Sequence, residues 1–385
     1  MAESAERQRY DERDNVQARI ELAPETPAWE KFYREHPELK AADMENQRLD
    51  SIQIGNPADN MSWDAVMSVL GDLSREDMVD GPVAPERIEM TPERAAEKIK
   101  GLAAYFGADV VRIGPLNPLY IYSHKGRTYG RNGPGEPEVG TPIGLAHKHA
   151  IVLVKSLDTT LLGGAPKKQV TFAIGRAYFQ LGALAVLLAR YIRMMGYPAR
   201  AHIIRNYQVI VPPVAVDAGV GEFGRNGLVI SPEFGQAIKM AVVTTDLQML
   251  HDQKTNLGVD NVCRSCKICA ENCPAGAINH GARQSVRGAE RYPFKPEACF
   301  NVWKTTGTDC GVCLFSCPFS RTPSLRRYLG AELASRGGEL PEELAAGIER
   351  LRREGHDPDA QPHYQWMEEQ PDVWKKYRFG KAKND

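Results

Sequence analysis

Residues 263–274 read CRSCKICAENCP and residues 299–318 read CFNVWKTTGTDCGVCLFSCP, and together these two groups hold all 8 cysteines of the chain. The first group has the spacing CxxCxxCxxxCP. Three thiolates at that spacing bind one 4Fe-4S cube, and in two-cluster ferredoxins the fourth cysteine binds the other cube. The spacing therefore predicts two 4Fe-4S clusters, with one cysteine exchanged between the groups.

The eight cysteines divide into two predicted sets of ligands. The first quartet is Cys263, Cys266, Cys269 and Cys317, and the second quartet is Cys273, Cys299, Cys310 and Cys313. Structural zinc and disulfides are the competing interpretations. A zinc site has no use for a third cysteine at the same spacing followed by Cys-Pro, and disulfides are unusual in a chain of this size without a signal peptide. The cysteines therefore indicate a function that involves electrons.

The length and charge of the chain limit what else it does. The cysteine region is about a seventh of the 385 residues, so at least one further domain is expected, and that domain should hold the chemistry. Lysine and arginine number 48, against 49 aspartate and glutamate residues. This balance offers no basic excess for nucleic acid and favours small-molecule partners.

No segment of the sequence has the pattern of a membrane anchor or an export signal. The N-terminal residues MAESAERQRYDERDNVQ are polar, and no arginine pair leads into an apolar run. The most apolar stretch, residues 179–188, is followed by Arg190 and Arg193 and is shorter than the ~20 residues that cross a bilayer. A buried helix is predicted there, and the protein is expected to be cytoplasmic unless a leader has been removed.

The region between residues 91 and 257 mixes helical and strand patterns. Thr91, Pro92 and Gly107 mark the start and the end of one helix. Apolar residues recur at helical spacing over residues 169–195, which places Tyr178 near the start of a long, mostly buried helix. Strands are predicted at ADVVRIGPL (108–116), HAIVLVKSL (149–157), ARAHIIRNYQVIV (199–211) and KMAVVTTDL (239–247), and a loop at RNGPGEPEVGTPIG (131–144).

Residues 214–235 read VAVDAGVGEFGRNGLVISPEFG and contain a GxGxxG match at Gly219, Gly221 and Gly224. A dinucleotide-binding fingerprint needs its third glycine to open a helix. Later residues of the stretch, among them Pro232, interrupt a helix, so nicotinamide binding is disfavoured. The glycines favour instead a close approach of the backbone to a large, flat group.

From Tyr178 onward, the order of these features resembles that of one family. Tyr178 on its long helix is followed by Asn206, AVDAGVGEFGRNGLVISPEFG (215–235), VVTTDL (242–247) and the two cysteine groups with CGVCLFSCPF (310–319). This order is similar to that of the cobalamin-dependent reductive dehalogenases, specifically over residues 178–318 and more loosely over 91–323. In that family a nitroreductase-like α+β domain holds base-off cobalamin, and two 4Fe-4S clusters supply electrons to cobalt. A carbon–halogen bond is replaced by carbon–hydrogen.

The resemblance implies roles for particular residues. Tyr178 matches the proton donor, Asn206 matches an asparagine of the substrate cavity, and Lys239 matches the arginine or lysine beside the tyrosine. Trp303 falls near an aromatic residue of that cavity. The residues implied in cobalamin binding are Gly219, Gly221, Gly224, Gly227, Pro232 and Phe234. A lysine ammonium beside the tyrosine would stabilise the phenolate that remains after proton transfer.

Two further features of the sequence bear on the cofactor and on the electron donor. The motif DxHxxG, which supplies a lower cobalt ligand, does not occur among the 9 histidines, in agreement with base-off cobalamin. Lysine at position 239 resembles the non-respiratory, cytoplasmic branch of the family, which often carries a fused reductase module. Because the chain ends at Asp385, a separate electron donor such as a ferredoxin or a flavodoxin is expected.

The predicted fold class is α+β, a nitroreductase-like cobalamin-binding domain followed by a bacterial ferredoxin-like domain. The predicted divisions are a wrapping segment (1–90), the catalytic domain (91–257), the two-cluster domain (258–325) and a C-terminal helix and tail that pack on the body (326–385). The leading hypothesis is a reductive dehalogenase acting on a small organohalide. The alternatives are an epoxyqueuosine reductase-like enzyme, which acts on tRNA through an acidic proton donor, and a non-catalytic electron carrier.

Overall fold

The computed structural model describes residues 8–22, 24–49, 57–127, 138–360, 366–367 and 373–376. The helices are α1 (Val16–Arg19), α2 (Pro27–Glu35), α3 (Pro37–Arg48), α4 (Pro57–Leu73), α5 (Glu76–Val79), α6 (Pro92–Tyr105), α7 (Thr159–Gly163), α8 (Lys168–Met194), α9 (Val211–Asp217), α10 (Val259–Cys266), α11 (Ile268–Glu271), α12 (Pro296–Thr306), α13 (Val312–Ser316), α14 (Pro318–Arg321), α15 (Ala331–Ser335) and α16 (Glu342–Glu354). The strands are β1 (Val110–Pro115), β2 (His149–Ser156), β3 (Ala199–His202), β4 (Glu222–Phe223), β5 (Val229–Ile230), β6 (Ile238–Thr245), β7 (Gln284–Val286) and β8 (Ala289–Arg291).

Four strands form one antiparallel sheet in the order β1-β2-β6-β3. Successive side chains of a strand point to opposite faces. Ala241 and Val243 of β6 accordingly pack in the apolar cluster that contains much of α8, while Val242 packs in a second cluster on the other face. Lys239 has the same parity as Ala241, so the alternation places it on the face of α8.

Helix α8 is the central helix of this arrangement and confirms the helix predicted over residues 169–195 to within one residue at each end. Most of its side chains are buried against the sheet and α4. Within the described parts of the chain, it is the one helix long and apolar enough to cross a membrane, yet 61% of its most apolar window is buried inside the protein. Its composition is that of a core helix.

The strand predicted over residues 199–211 is only partly correct. β3 ends at His202, and the chain then reverses through a tight turn in which Ile203 and Asn206 exchange backbone hydrogen bonds. Arg205 has a φ of 77° in this turn, a left-handed conformation that a β-strand does not contain. The apolar run continued past the turn, and its composition therefore concealed the break.

The glycine-rich stretch forms a small hairpin, β4 paired with β5, and no helix follows Gly224. This outcome agrees with the rejection of a dinucleotide-binding fingerprint. At Gly221, an added Cβ would lie 2.0 Å from the carbonyl oxygen of Ile230, and at Gly219 it would lie 2.2 Å from that of Gln253. These two glycines therefore allow close packing against other backbone segments of the protein, and not against a bound group.

The two ends of the chain pack on the rest of the molecule. Arg19 forms a buried ion pair with Asp43 at 2.7 Å and reaches Glu297 of α12 at 2.5 Å. At the other end, Leu344 of α16 packs in the same apolar cluster as Cys263. Trp366 is 61% exposed and contacts the ring of Phe172. Residues 131–137 of the predicted loop and residues 377–385 of the predicted tail lie outside the described residues.

Candidate active site and iron-sulfur region

The first cysteine quartet lines one cavity. Cys263 and Cys266 come from α10, Cys269 lies in α11, and Cys317 precedes α14. A left-handed backbone at Lys267 separates α10 from α11 and reverses the chain between the second and third cysteines. All four cysteines line one pocket, together with Arg225. The structure thus brings Cys317 of the second sequence group to the first three cysteines, as a ligand exchange requires.

The second quartet is also gathered in space. The thiols of Cys299 and Cys310 are each influenced electrostatically by Cys273 and Cys313. Backbone turns help to place them, since Cys310 and Gly311 have φ values of 52° and 72° immediately before α13. The side chain of Trp303 donates a hydrogen bond to Cys299. Four sulfurs from two distant stretches therefore meet beside α12 and α13.

Burial makes these cysteines poor thiolates without a cation. It raises the pKa of Cys263 and Cys299 to about 12 and that of Cys266 and Cys313 to about 11. Iron replaces the proton and supplies the positive charge that a buried thiolate lacks. The eight buried or half-buried thiols therefore fit iron-sulfur clusters as their ligands.

Tyr178 and Lys239, which lie far apart in sequence, meet on one face of the sheet. Tyr178 projects from the N-terminal half of α8, and Lys239 is the second residue of β6. The Lys239 Nζ lies 5.0 Å from the centre of the Tyr178 ring, and Tyr178 contributes to a raised pKa of Lys239. A cation over the face of a tyrosine ring and beside its hydroxyl stabilises negative charge on that ring.

The charge of Lys239 is supported by its surroundings. Burial lowers the pKa of an ammonium, but Tyr178 and Asp309 outweigh that effect and raise the pKa of Lys239 above its usual value. Asp309 is held through its backbone N–H, which donates to the Thr171 hydroxyl of α8 at 3.1 Å. Asp309 directly precedes Cys310 in the chain, and Cys313 also acts electrostatically on Lys239, so the lysine lies near the second quartet.

The tyrosine lies at the edge of the apolar cluster that contains Cys310. Val170, Ile174 and Ala177 of α8 belong to the core of this cluster, and the partly buried side chains that pack against it are Tyr178, Leu228, Ala275 and Trp303. These four side chains come from α8, the glycine-rich hairpin, the segment after Cys273 and α12. The second quartet and the Tyr178–Lys239 pair are therefore parts of one site.

Comparison with known proteins identifies relatives of this arrangement. A family model described as a 4Fe-4S dicluster domain matches residues 262–320. The chain is 30% identical over 269 residues to a tetrachloroethene reductive dehalogenase of Desulfitobacterium hafniense, covering 60% of this chain and 48% of that protein. It is 26% identical over 258 residues to the tetrachloroethene reductive dehalogenase of Sulfurospirillum multivorans, covering 60% and 51%.

The structure also resembles a solved reductive dehalogenase, with a TM-score of 0.66 and 27% sequence identity. That structure is described as suggesting a mechanism for B12-dependent dehalogenation. The match covers 80% of this chain and 43% of that one.

The chain is a homologue of the reductive dehalogenases. It spans about half the length of the curated relatives that it matches. The expected homology to reductive dehalogenases and the presence of a 4Fe-4S dicluster domain are thereby confirmed.

One residue that the likeness to reductive dehalogenases implied in the site lies elsewhere. Asn206 is buried among polar groups, where it accepts a hydrogen bond from Arg200 at 2.8 Å and donates to the carbonyl of Ser74 at 2.8 Å. It borders a different cavity, together with Lys125 and Arg127. The structure thus pairs Lys239 with Tyr178 and places Asn206 in a separate group of polar side chains.

The residues implied in cobalamin binding differ in how much room they leave. At Gly224, an added Cβ would lie 2.6 Å from Gln236, so this glycine serves internal packing like Gly221. At Gly227, with a φ of 75°, no atom lies within 4 Å of an added Cβ. Phe234 is partly buried against the sheet. The turn at Gly227 is therefore the part of the stretch that leaves open space for a bound group.

Three residues of the site escaped the sequence analysis. Arg225 donates to the carbonyl oxygen of Cys263 at 2.9 Å, and Asn226 forms a hydrogen bond with Cys313. The hairpin tip therefore touches both quartets. The third residue is Asp309, beside Lys239. Its position next to Cys310 is the one signal in the sequence that could have drawn attention to it.

Proposed function

We propose that this protein is a reductive dehalogenase that replaces a carbon–halogen bond of an organohalide by carbon–hydrogen. The observation that carries the proposal is the pairing of Tyr178 with Lys239 at the edge of the apolar cluster that holds Cys310. A proton donor and a set of electron-transfer ligands meet there. The homology to reductive dehalogenases supports the same reaction.

The reaction consumes two electrons and one proton for each halide ion released, and Tyr178 is the group that we assign to the proton. Its hydroxyl donates to the carbon that loses the halogen. Lys239 then stabilises the phenolate, because its ammonium lies over the ring at 5.0 Å from the ring centre and brings a positive charge to it. A small polar pair at the edge of an apolar cluster suits a neutral or weakly polar organohalide.

A corrinoid is the cofactor that we propose for this site, and when bound it would supply the reduced cobalt that cleaves the carbon–halogen bond. The open turn at Gly227 and the partly buried side chains of Leu228, Phe234 and Trp303 would hold it. The absence of a DxHxxG motif supports the base-off form. The related structure described in terms of B12-dependent dehalogenation supports the same choice of cofactor.

We further propose that each cysteine quartet binds one 4Fe-4S cluster and that electrons pass from the first to the second. Cys269 and Cys313 influence one another electrostatically, so the two quartets are neighbours. Only the second quartet shares its apolar cluster with Tyr178. The second cluster would therefore deliver electrons to the site, and the first would receive them from a donor.

Anaerobic reconstitution tests this function. The purified chain is loaded with iron, sulfide and cobalamin, reduced with an excess of the methyl viologen radical cation, and given a panel of chlorinated and brominated aromatic and aliphatic compounds. We expect halide release that requires both the clusters and the corrinoid. A preparation lacking only cobalamin is the matched control.

Two results would contradict the proposal. The first is a preparation with full cluster and corrinoid content that releases no halide from any compound of the panel. The second is the absence of corrinoid binding alongside intact clusters, which would favour a non-catalytic electron carrier. Tight tRNA binding without halide release would favour the epoxyqueuosine reductase interpretation.

A further inference from the structure

A basic surface lies on the segment that joins the two cysteine groups. This segment, residues 277–295, contains β7 and β8, and we call it the basic hairpin. Its basic residues are Arg283, Arg287, Arg291 and Lys295, and its one acidic residue is Glu290. The whole chain has 48 basic and 49 acidic residues, so the excess on the basic hairpin is local.

All four basic side chains of the basic hairpin are exposed. Arg283 reaches Asp260 at 3.3 Å, and that carboxylate is shared with Arg264, which is also exposed. Arg287 pairs with a second carboxylate, that of Asp14, at 3.4 Å. Two carboxylates thus face three guanidinium groups here, so positive charge remains. Phe294 lies among these residues and is 42% exposed. An exposed aromatic ring surrounded by basic groups is a typical composition for a transient protein interface.

The base of the basic hairpin is hydrogen-bonded to the second quartet. The backbone N–H of Ala277 donates to the sulfur of Cys273 at 3.3 Å, and that of Lys295 donates to the carbonyl of Ala277 at 3.0 Å. The backbone N–H of Cys299 donates in turn to the carbonyl of Lys295 at 3.2 Å. Both ends of the segment are therefore tied to cysteines that we assign to one cluster.

The middle of the basic hairpin is tied to the first quartet through Arg225. The guanidinium of this residue donates to the carbonyl of Cys263 at 2.9 Å and to the carbonyls of Asn279 and Gly281 at 2.8 Å each. It also lies over the ring of Tyr292, 4.1 Å from the centre. A molecule that docks on the basic hairpin therefore comes close to both sets of cluster ligands.

We propose that the basic hairpin is the docking surface for an acidic electron-carrier protein. This inference rests on the proposed function, in which the clusters receive electrons from outside the site. A reduced carrier would transfer one electron to an oxidised cluster and leave oxidised, and two such transfers supply one dehalogenation. Opposite charge accelerates such encounters by 10- to 10³-fold at low ionic strength. A basic surface could also attract RNA, but its hydrogen bonds to two cluster ligands favour an electron donor.

Stopped-flow reduction of the clusters tests this surface directly. The cluster-loaded protein is mixed anaerobically with a reduced, acidic 2Fe-2S ferredoxin. The second-order rate constant is taken from the reoxidation of the ferredoxin, whose visible spectrum and circular dichroism differ from those of 4Fe-4S clusters. In parallel, the same protein is reduced by the methyl viologen radical cation. Neither measurement needs an organohalide, a corrinoid or turnover.

The test variant is Arg283→Glu with Arg291→Glu, and the matched control is Arg94→Glu with Lys98→Glu on the exposed face of α6. We expect the test variant to lose about 10-fold or more of its rate with ferredoxin at low salt. The control variant should lose little, and the difference should vanish at high salt. Reduction by methyl viologen should not be slowed in either variant.

Three outcomes would overturn the docking proposal. They are an unchanged ferredoxin rate in the test variant, an equal loss in the control variant, and a loss of tRNA binding as the main effect of the test variant. If methyl viologen itself fails to reduce the clusters, the electron pathway of the proposed function fails, and that result is distinguishable from the other three.

Discussion

The two cysteine quartets resemble each other in sequence and differ in what surrounds them. Cys263, Cys266 and Cys317 of the first quartet pack with Phe319 and with apolar residues of α16. Cys310 of the second quartet packs instead in an apolar cluster with residues of α8. Tyr178 lies at the edge of that cluster. The first quartet is thus embedded in the C-terminal part of the chain, and the second is joined to the domain that holds the sheet.

Under the proposed function, identical ligands would therefore serve different steps. The first quartet also has a tyrosine beside it, Tyr292, but its hydroxyl donates to Asp260 at 3.0 Å. Burial and this carboxylate raise the pKa of Tyr292 to about 12, whereas Tyr178 has a lysine beside it. The second quartet has Tyr178, Lys239 and Asp309 within its immediate surroundings. Its neighbours, more than its own ligands, support the proposal that the second quartet binds the cluster beside the site of reaction.

The largest effect is expected when one cysteine ligand is removed, because only one of the two clusters should then be lost. Cys317→Ala should lose the first cluster and nearly all turnover, because its sulfur completes the set of Cys263, Cys266 and Cys269. About half of the iron and acid-labile sulfide should remain, together with the electron paramagnetic resonance signal of a single, isolated cluster. Stability should also fall, since cluster ligation contributes to folding.

The matched variant for this experiment is Cys310→Ala, which should show the reverse pattern. If Cys317→Ala retained the first cluster and lost the second, the exchange of ligands between the groups would be wrong. Each cluster would then be bound by the four cysteines of a single sequence group.

The next effect tests the chemistry beside the second quartet. Tyr178→Phe keeps the ring and removes the proton, so both clusters should assemble normally while halide release falls by a factor on the order of 10² or more. Halide release and iron content measured on the same preparation check this. Tyr191→Phe, on the same helix, is the control and should retain activity. A Tyr178→Phe enzyme with full cofactor content and normal turnover would remove this tyrosine from the mechanism.

A smaller effect is expected at Lys239. Lys239→Met removes the charge over the Tyr178 ring and should lower halide release by less than Tyr178→Phe does, because a proton donor remains. Lys239→Arg keeps the charge and should restore part of the activity. If the arginine and methionine variants lost activity equally, charge would not be the contribution of this residue.

The smallest effect concerns the contact between the second quartet and α8. An added Cβ at Gly311, where φ is 72°, would lie 2.6 Å from the Cγ1 of Val170. Gly311→Ala should therefore lower the free energy of unfolding by about 1–3 kcal/mol, as overpacking does. Chemical denaturation of the cluster-loaded protein measures this.

Gly337→Ala provides the control for Gly311→Ala. Gly337 has a similar φ of 60°, and no atom lies within 4 Å of an added Cβ. The difference between the two variants therefore isolates the contact with Val170 from the backbone strain. Equal losses of stability would mean that this contact contributes little.

The amino-acid sequence by itself determined the features that depend on short spacing. The cysteine ligands follow from CxxCxxCxxxCP, because a cube binds cysteines whose separations along the chain are short and regular. The helix containing Tyr178 follows from the period of its apolar residues, and the start of α6 follows from Thr91 and Pro92. In each case the physical cause acts over one or two turns of backbone.

Only the tertiary structure decided which of these features meet. Lys239 reaches Tyr178 because β6 lies under α8, and no local pattern records that contact. The resemblance to a family paired these two residues correctly in space, but it also grouped Asn206 with them, and a tight turn after β3 directs that side chain to Arg200. Two of the glycines expected to face a cofactor, Gly219 and Gly221, lie instead against backbone atoms of the protein itself. Packing between distant segments follows from the whole set of buried side chains, and short-range patterns do not encode it.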